Sequence, residues 1–120
     1  MPSGHDGRSL GVPYVLHVCG NTKAILADLV TTGADALELD YKTDVRLAHD
    51  LKTDCAVFIG NLDPSSVIAL GTPALVEAQS RELITLFGDR HRFILNAGCA
   101  IPATAPEADI RAMVHAARSW

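Results

Sequence analysis

Short runs of β-branched, aromatic and leucine residues alternate four times with segments of helical period, and this alternation limits the fold more than any other feature of the chain. Val12–Val18 is the first such run and suits a buried strand. From Thr22 the period becomes helical: Ile25, Leu26, Leu29 and Val30 share one face, with Gly33 as the C′ stop. Ala36–Asp40 reads as the second strand, and Lys42–Leu51 as a helix with Val45, Leu47, Ala48 and Leu51 apolar. Cys55–Ile59 reads as the third strand, ended by Gly60-Asn61. Asp63-Pro64 has the form of a cap followed by the first residue of a short helical turn. Thr72-Pro73 repeats that signal and opens the longest helix, carrying Leu75, Val76, Leu83, Ile84 and Phe87 up to Gly88. Phe93–Asn96 is the fourth strand. A last helix begins near Pro106, with Ile110, Met113, Val114 and Ala117 spaced along one face.

Four βα units imply a parallel sheet with helices packed on it. An open doubly wound sheet and half of a (β/α)₈ barrel both satisfy that pattern. A complete barrel takes about 250 residues, and this chain has 120. No Gly-x-Gly-x-x-Gly follows the first strand and no Walker A sequence is present, which removes support from nucleotide-binding versions. Residues 1–11 are polar and glycine-rich, without the apolar stretch of a signal peptide, and read as a tail on a domain spanning 12–120. The formal charge is −4, with scattered basic residues, which argues against nucleic acid as a partner. Charge or glycine breaks every apolar run before the length of a membrane span. Three cysteines are too few and odd in number for a disulfide framework, so they read as reduced thiols in a cytoplasmic protein.

In parallel α/β structures the chemistry gathers at the carboxyl ends of the strands. Those ends here are His17-Val-Cys-Gly20, Glu38-Leu-Asp40, Gly60-Asn-Leu-Asp63 and Asn96-Ala-Gly-Cys99. Residues two apart on a strand point to the same side, so His17 and Cys19 can converge on one ion, and Glu38 shares a face with Asp40. Imidazole with thiolates is a donor set zinc prefers. Cys55 opens a strand with no partner nearby and reads as core packing. His5, His49, His91 and His115 read as solvated.

Together His17-Val-Cys-Gly-Asn-Thr22, Gly60-Asn-Leu-Asp-Pro64, Asn96-Ala-Gly-Cys-Ala-Ile-Pro102 and Ala105-Pro-Glu-Ala-Asp-Ile-Arg-Ala-Met113 resemble the C-terminal half of the uroporphyrinogen decarboxylase superfamily. The resemblance spans about residues 11–118 and is nearer to the methylcobamide:coenzyme M methyltransferase branch. That branch carries a His-x-Cys…Cys zinc motif, which falls on His17, Cys19 and Cys99. True decarboxylases are similar here but carry His at the position of Cys99, lack the His-x-Cys pair and place an essential Arg and Asp in an N-terminal half not found in this sequence.

The resemblance implies a fold, a reaction and partners. The fold is four βα units forming the C-terminal half of a (β/α)₈ TIM barrel. In the implied reaction a Zn²⁺-bound thiol substrate attacks a methyl group held by a corrinoid, with methylcobalamin as donor and a corrinoid protein as partner. Asp40 is the candidate catalytic residue, a displaceable fourth zinc ligand, with Glu38 as the alternative. An orienting contact to His17 is the other role open to either acid. Two other readings stay open: decarboxylation of a tetrapyrrole, and a zinc-binding half-barrel without turnover. Four units cannot close a barrel, so both outer strands expose unpaired backbone, and the inward face (Tyr14 or Val15, Val57 or Phe58) lacks an opposing layer. The expected assembly is a dimer of half-barrels or a union with a separate N-terminal half.

Overall fold

A strand reaches a parallel neighbour only through a crossover, so helical segments must separate the strands in sequence. The computed structural model of the protein describes residues 11–51, 56–88 and 92–119. Its strands are β1 (Val15–Val18), β2 (Ala36–Leu39), β3 (Val57–Leu62) and β4 (Phe93–Ala97). They form one parallel sheet in the order β1-β2-β3-β4, with His17 opposite Glu38, Glu38 opposite Ile59 and Ile59 opposite Ile94. Sequential order decides between the two architectures. Right-handed crossovers that always step the same way place every helix on one face, whereas a doubly wound sheet must reverse direction. The sheet is therefore half of a (β/α)₈ barrel, with its inner face bare of helices among the described residues.

A 3₁₀ turn (Lys23–Ile25) runs into the single-turn helix α1 (Leu26–Leu29). Helix α2 spans Val45–Asp50, a π-helical segment spans Pro64–Ala69, α3 spans Pro73–Phe87 and α4 spans Glu107–Arg118. The polar caps lie where the sequence places them. Thr72 Oγ1 accepts from the Leu75 amide at 3.2 Å, and Asp63 Oδ1 accepts from the Ser65 and Ser66 amides at 2.9 and 3.1 Å. The second helix differs from the expected Lys42–Leu51: Asp44 caps α2 by accepting from the Arg46 amide, so the helix starts at Val45.

Alternate residues of each strand face the helices. Leu37, Leu39, Phe58 and Phe87 centre one core cluster, and Leu62, Ile68, Val76 and Ala97 the other. Val15 and Val57 therefore belong to the bare face, while Phe58 is buried and Tyr14 packs against the first core.

Several boundaries differ from those expected of the sequence. β1 starts at Val15 rather than Val12: Pro13 has no N–H to give, and the Tyr14 amide donates to Asp35 Oδ2. β3 runs on through Gly60-Asn61 to Leu62, because these residues still pair with Leu95, Asn96 and Ala97. The first helix is much shorter than Thr22–Gly33, and Ile25 is exposed. On α4 the buried face is rotated by one residue: Asp109 and Ala116 are buried and Ala112 and Met113 half-buried, while Val114 and Ala117 face water. Small Ala112 and Ala116 let α4 lie close against α3, and their spacing carries little hydrophobic signal. His49 is not a solvated side chain; it is half-buried with its ring edge-on to Phe87, centroids 5.6 Å apart. His115 is exposed near Glu77. Residues 1–10, Cys55 and His91 lie outside the described residues. No helix among the described residues is long and apolar enough to cross a membrane.

Candidate metal centre

At the carboxyl rim the sheet ends in loops, and each loop is held by hydrogen bonds to a neighbouring strand end. Cys19 follows β1 directly. Its neighbour Gly20 donates its amide to Asp40 Oδ2 at 2.9 Å, and the Gly20 carbonyl accepts from Thr43 Oγ1 at 3.1 Å. The Thr22 amide in turn donates to Thr43 Oγ1 at 2.8 Å. Asp40 is 4% exposed and uses its other oxygen to accept from the Lys42 amide at 2.9 Å. Buried Asn61 clamps the same turn from β3, donating to the carbonyls of Asp40 and Thr43 at 3.2 and 2.7 Å.

Cys99 comes from the opposite edge of the sheet. The Gly98 amide donates to the Leu62 carbonyl at 2.7 Å, and the Gly98 carbonyl accepts from the Tyr41 amide at 3.2 Å. A Cβ on Gly98 would lie 2.3 Å from the Tyr41 nitrogen, so only glycine permits this approach of the β4 loop to the β2 loop.

Two loops pinned to the end of β2 bring their cysteines together. A carboxylate oxygen of Asp40 and the Sγ atoms of Cys19 and Cys99 all lie within 4.8 Å of one another. His17 stands at the edge of this group, with Nε2 3.2 Å from Cys19 Sγ and Nδ1 3.4 Å from Glu38 Oε1. Register explains the second contact, since His17 and Glu38 are opposite residues on the bare face. Glu38 thus holds the far side of the imidazole and turns Nε2 toward the sulfur. Burial pushes the Asp40 carboxyl up, but the Gly20 and Lys42 amides, with the Lys42 and His17 charges, outweigh it and hold the group below the ordinary aspartate value.

Of the candidate residues named from the sequence, Cys19, Asp40 and Cys99 come together, while His17 reaches Cys19 alone of the three and Glu38 lies against His17. Donors set tetrahedrally around zinc stand about 3.3–3.8 Å apart, and the atoms of Cys19, Asp40 and Cys99 lie within 4.8 Å of one another. The donor set suits that ion: two thiols, an imidazole edge and a carboxylate, with Cys19 open to solvent. Sequence reasoning misses the clamping roles of Thr43, Asn61 and Gly98. Gly98 carries one usable signal, a glycine directly before a chemically active strand-end residue. The cleft of about 440 Å³ between α2 and α3 is a different place; Tyr41, Asp44, Arg46 and Glu82 line it, and neither cysteine does.

Comparison with known proteins gives the same frame. The uroporphyrinogen decarboxylase (URO-D) family model matches residues 3–120. The methylcobamide:CoM methyltransferase MtbA of Methanosarcina mazei is 37% identical over 113 residues, covering 94% of this chain and 32% of that protein. A uroporphyrinogen decarboxylase of Sodalis glossinidius is 34% identical over 103 residues, covering 86% of this chain and 28% of that one. Among solved structures, a methyltransferase from Methanosarcina mazei superposes with a TM-score of 0.84 at 24% identity, over 97% of this chain and 34% of the other. The chain spans about a third of the length of the relatives it matches.

Proposed function

The chain belongs to the uroporphyrinogen decarboxylase (URO-D) family, and from that premise we propose that it carries the metal-binding part of a zinc-dependent methyltransferase, which moves a methyl group from a corrinoid to a thiol substrate. The observation that carries this reading is the convergence of Cys19, Asp40 and Cys99 within 4.8 Å, with His17 against Cys19. Cys19, Cys99 and His17 would hold the ion, and Asp40 is the carboxylate placed to complete the set. Zinc bound there supplies a Lewis acid that keeps a substrate thiol ionised at neutral pH.

The protein's own groups do the rest. Asp40 keeps a negative charge among the donors while fixing the Gly20 amide, and so positions Cys19. Glu38 fixes the ring of His17 through Nδ1, leaving Nε2 for the site. Exposed Cys19 leaves an approach for a small thiol such as coenzyme M from the bare face. A corrinoid protein, presenting methylcobalamin, is the fitting donor partner. Tetrapyrrole decarboxylation makes no use of a convergent pair of thiols, and a zinc-binding module without turnover remains the outcome of a negative activity test. The bare face, and edges on β1 and β4 that have no partner strand among the described residues, fit a second half-barrel, from another copy or from a separate N-terminal half.

Metal analysis of the purified chain after incubation with Zn²⁺ tests the reading. It expects about one zinc per chain, lost in Cys19→Ser and Cys99→Ser, and affinity reduced about 10- to 100-fold in Glu38→Gln. A folded chain that takes up no zinc sinks it. Methyl transfer from methylcobalamin to coenzyme M, by the chain supplied with the remaining strands, separates the enzyme from the binding module.

A further inference from the structure

We propose that Cys19 and Cys99 are also a site of oxidative modification, at which hydrogen peroxide joins them in an intramolecular disulfide. Bound metal and the disulfide then compete for the same two sulfurs. That competition rests on the metal reading above; the disulfide itself does not.

Three observations carry the proposal. The two Sγ atoms lie within 4.8 Å of each other, and both cysteines are free thiols. Cys19 is exposed and Cys99 half-buried, so an oxidant the size of peroxide reaches the pair. Both residues also sit in loops beyond the ends of their strands, Cys19 after β1 and Cys99 in the bend after β4. Closing to the bonded distance of about 2.05 Å therefore requires side-chain rotation and a loop adjustment while the sheet stays intact.

The step balances. The sulfur of exposed Cys19 attacks one peroxide oxygen, an S–O bond forms, the O–O bond breaks, and the departing hydroxide takes the thiol proton to leave as water. Cys99 sulfur then attacks the sulfenic sulfur of Cys19. The S–S bond forms, the S–O bond breaks, and the oxygen leaves as a second water with the Cys99 proton. Two thiols have lost two electrons and two protons, and one peroxide has become two waters.

The full 120-residue chain, metal-free, and its Cys55→Ser variant are treated with hydrogen peroxide, alkylated and mapped by mass spectrometry. The expected product is about 2 Da lighter than the reduced chain, contains a peptide joining Cys19 to Cys99 and is reversed by dithiothreitol. Cys19→Ser and Cys99→Ser each abolish it. Added Zn²⁺ slows its formation about tenfold or more, because coordinated sulfurs are withheld from the oxidant, and peroxide releases that zinc to a chromophoric chelator. Folded chain in which Cys19 and Cys99 stay alkylatable, or link to Cys55 instead, overturns the proposal. If Cys55→Ser fails to fold, the peptide map of the parent chain decides. A Cys19–Cys99 disulfide in a chain that never binds zinc leaves this proposal standing and removes the metal reading; bound zinc without the disulfide does the reverse.

Discussion

One sheet presents two faces that differ in what they keep from water. On the helix-covered face Leu37, Leu39, Phe58 and Leu62 are each no more than 3% exposed. On the other, Val15 and Ile94 are 50% and 53% exposed, with His17 and Glu38 paired in register near them. The two sets alternate along the same strands, so a single residue step separates a core position from a site position. That parity separates the functions of the faces. Apolar burial on the covered face holds the strands in place, and among the described residues the bare face is closed only at its rim, where loops fold over Asp40 and carry the cysteines. Placement of Cys19, Asp40 and Cys99 at the rim thus rests on strands that the covered face holds in position.

The strongest way to break this division is to damage the covered face alone. Phe87 is 2% exposed, stacks on Phe93 at 4.5 Å between centroids and touches Phe58 and His49. Phe87→Ala is expected to cost about 3–5 kcal/mol, lowering the melting temperature by roughly 10–20 °C. Urea unfolding and a thermal melt measure it. A loss below about 1 kcal/mol would mean that the contacts of Phe87 with Phe58 and Phe93 do not bind α3 to the sheet.

The next largest effect strikes the rim. Gly98→Ala places a methyl 2.3 Å from the Tyr41 nitrogen, and backbone must give way. The expected stability cost is about 1–3 kcal/mol, with zinc affinity falling by more than the stability loss accounts for, because the Cys99 loop is pushed from Asp40. Titration with Zn²⁺ at a temperature where both chains are folded reads this out. Equal affinity in the two chains would show that the close approach of the two loops does not set the site.

These two residues also mark how far the amino-acid sequence alone reaches. Phe87 stands in a clear helical period, and parallel topology places the strand ends that carry His17, Cys19, Glu38, Asp40 and Cys99 on one rim, from which the family resemblance selects His17, Cys19, Asp40 and Cys99. Gly98 against Tyr41 is a contact between loops far apart in sequence, and no local pattern announces it. The same holds for Asn61: it sits where Gly60-Asn61 reads as a strand end, yet β3 continues and the side chain clamps the Asp40 turn. Asp109 goes against type altogether, an acid at 1% exposure whose Oδ2 has no hydrogen-bond partner among the described residues. The sequence also leaves Asp40 and Glu38 alike as strand-end acids; in the structure an Asp40 oxygen lies within 4.8 Å of both cysteine sulfurs, while Glu38 lies against His17.

A smaller effect distinguishes polar from apolar support on the covered side. Burial pushes the Asp63 carboxyl up, but the Ser66 hydroxyl and the Ser65 and Ser66 amides hold it below the ordinary aspartate value. A depressed folded pKa means that the cap stabilises the fold above the unfolded value and loses that contribution as pH falls through the folded one. Asp63→Ala should therefore cost about 1 kcal/mol at neutral pH, and the difference between the two chains should shrink toward zero as acid carries the carboxylate through its lowered folded-state pKa. Urea melts at several pH values follow it. A difference that persists undiminished in acid would assign the cost to packing rather than to the carboxylate.

The smallest effect is expected on the bare face, and its size reports what covers that face. Ile94→Ser changes a side chain that is already 53% exposed, on an edge strand with no neighbour beyond it among the described residues. In the free monomer the change should fall within about 0.5 kcal/mol of zero, as for other surface positions. Pairing with a second half-barrel would bury the same residue in an eight-stranded interior, where loss of its apolar surface costs about 1–3 kcal/mol. The substitution should then weaken association while leaving the unfolding of the monomer unchanged. Sedimentation of the parent and variant chains over a range of concentrations, with urea melts at the lowest, measures both quantities. A cost above about 1 kcal/mol in a strictly monomeric chain would contradict the bare face itself, since the chain's own residues would then be covering Ile94.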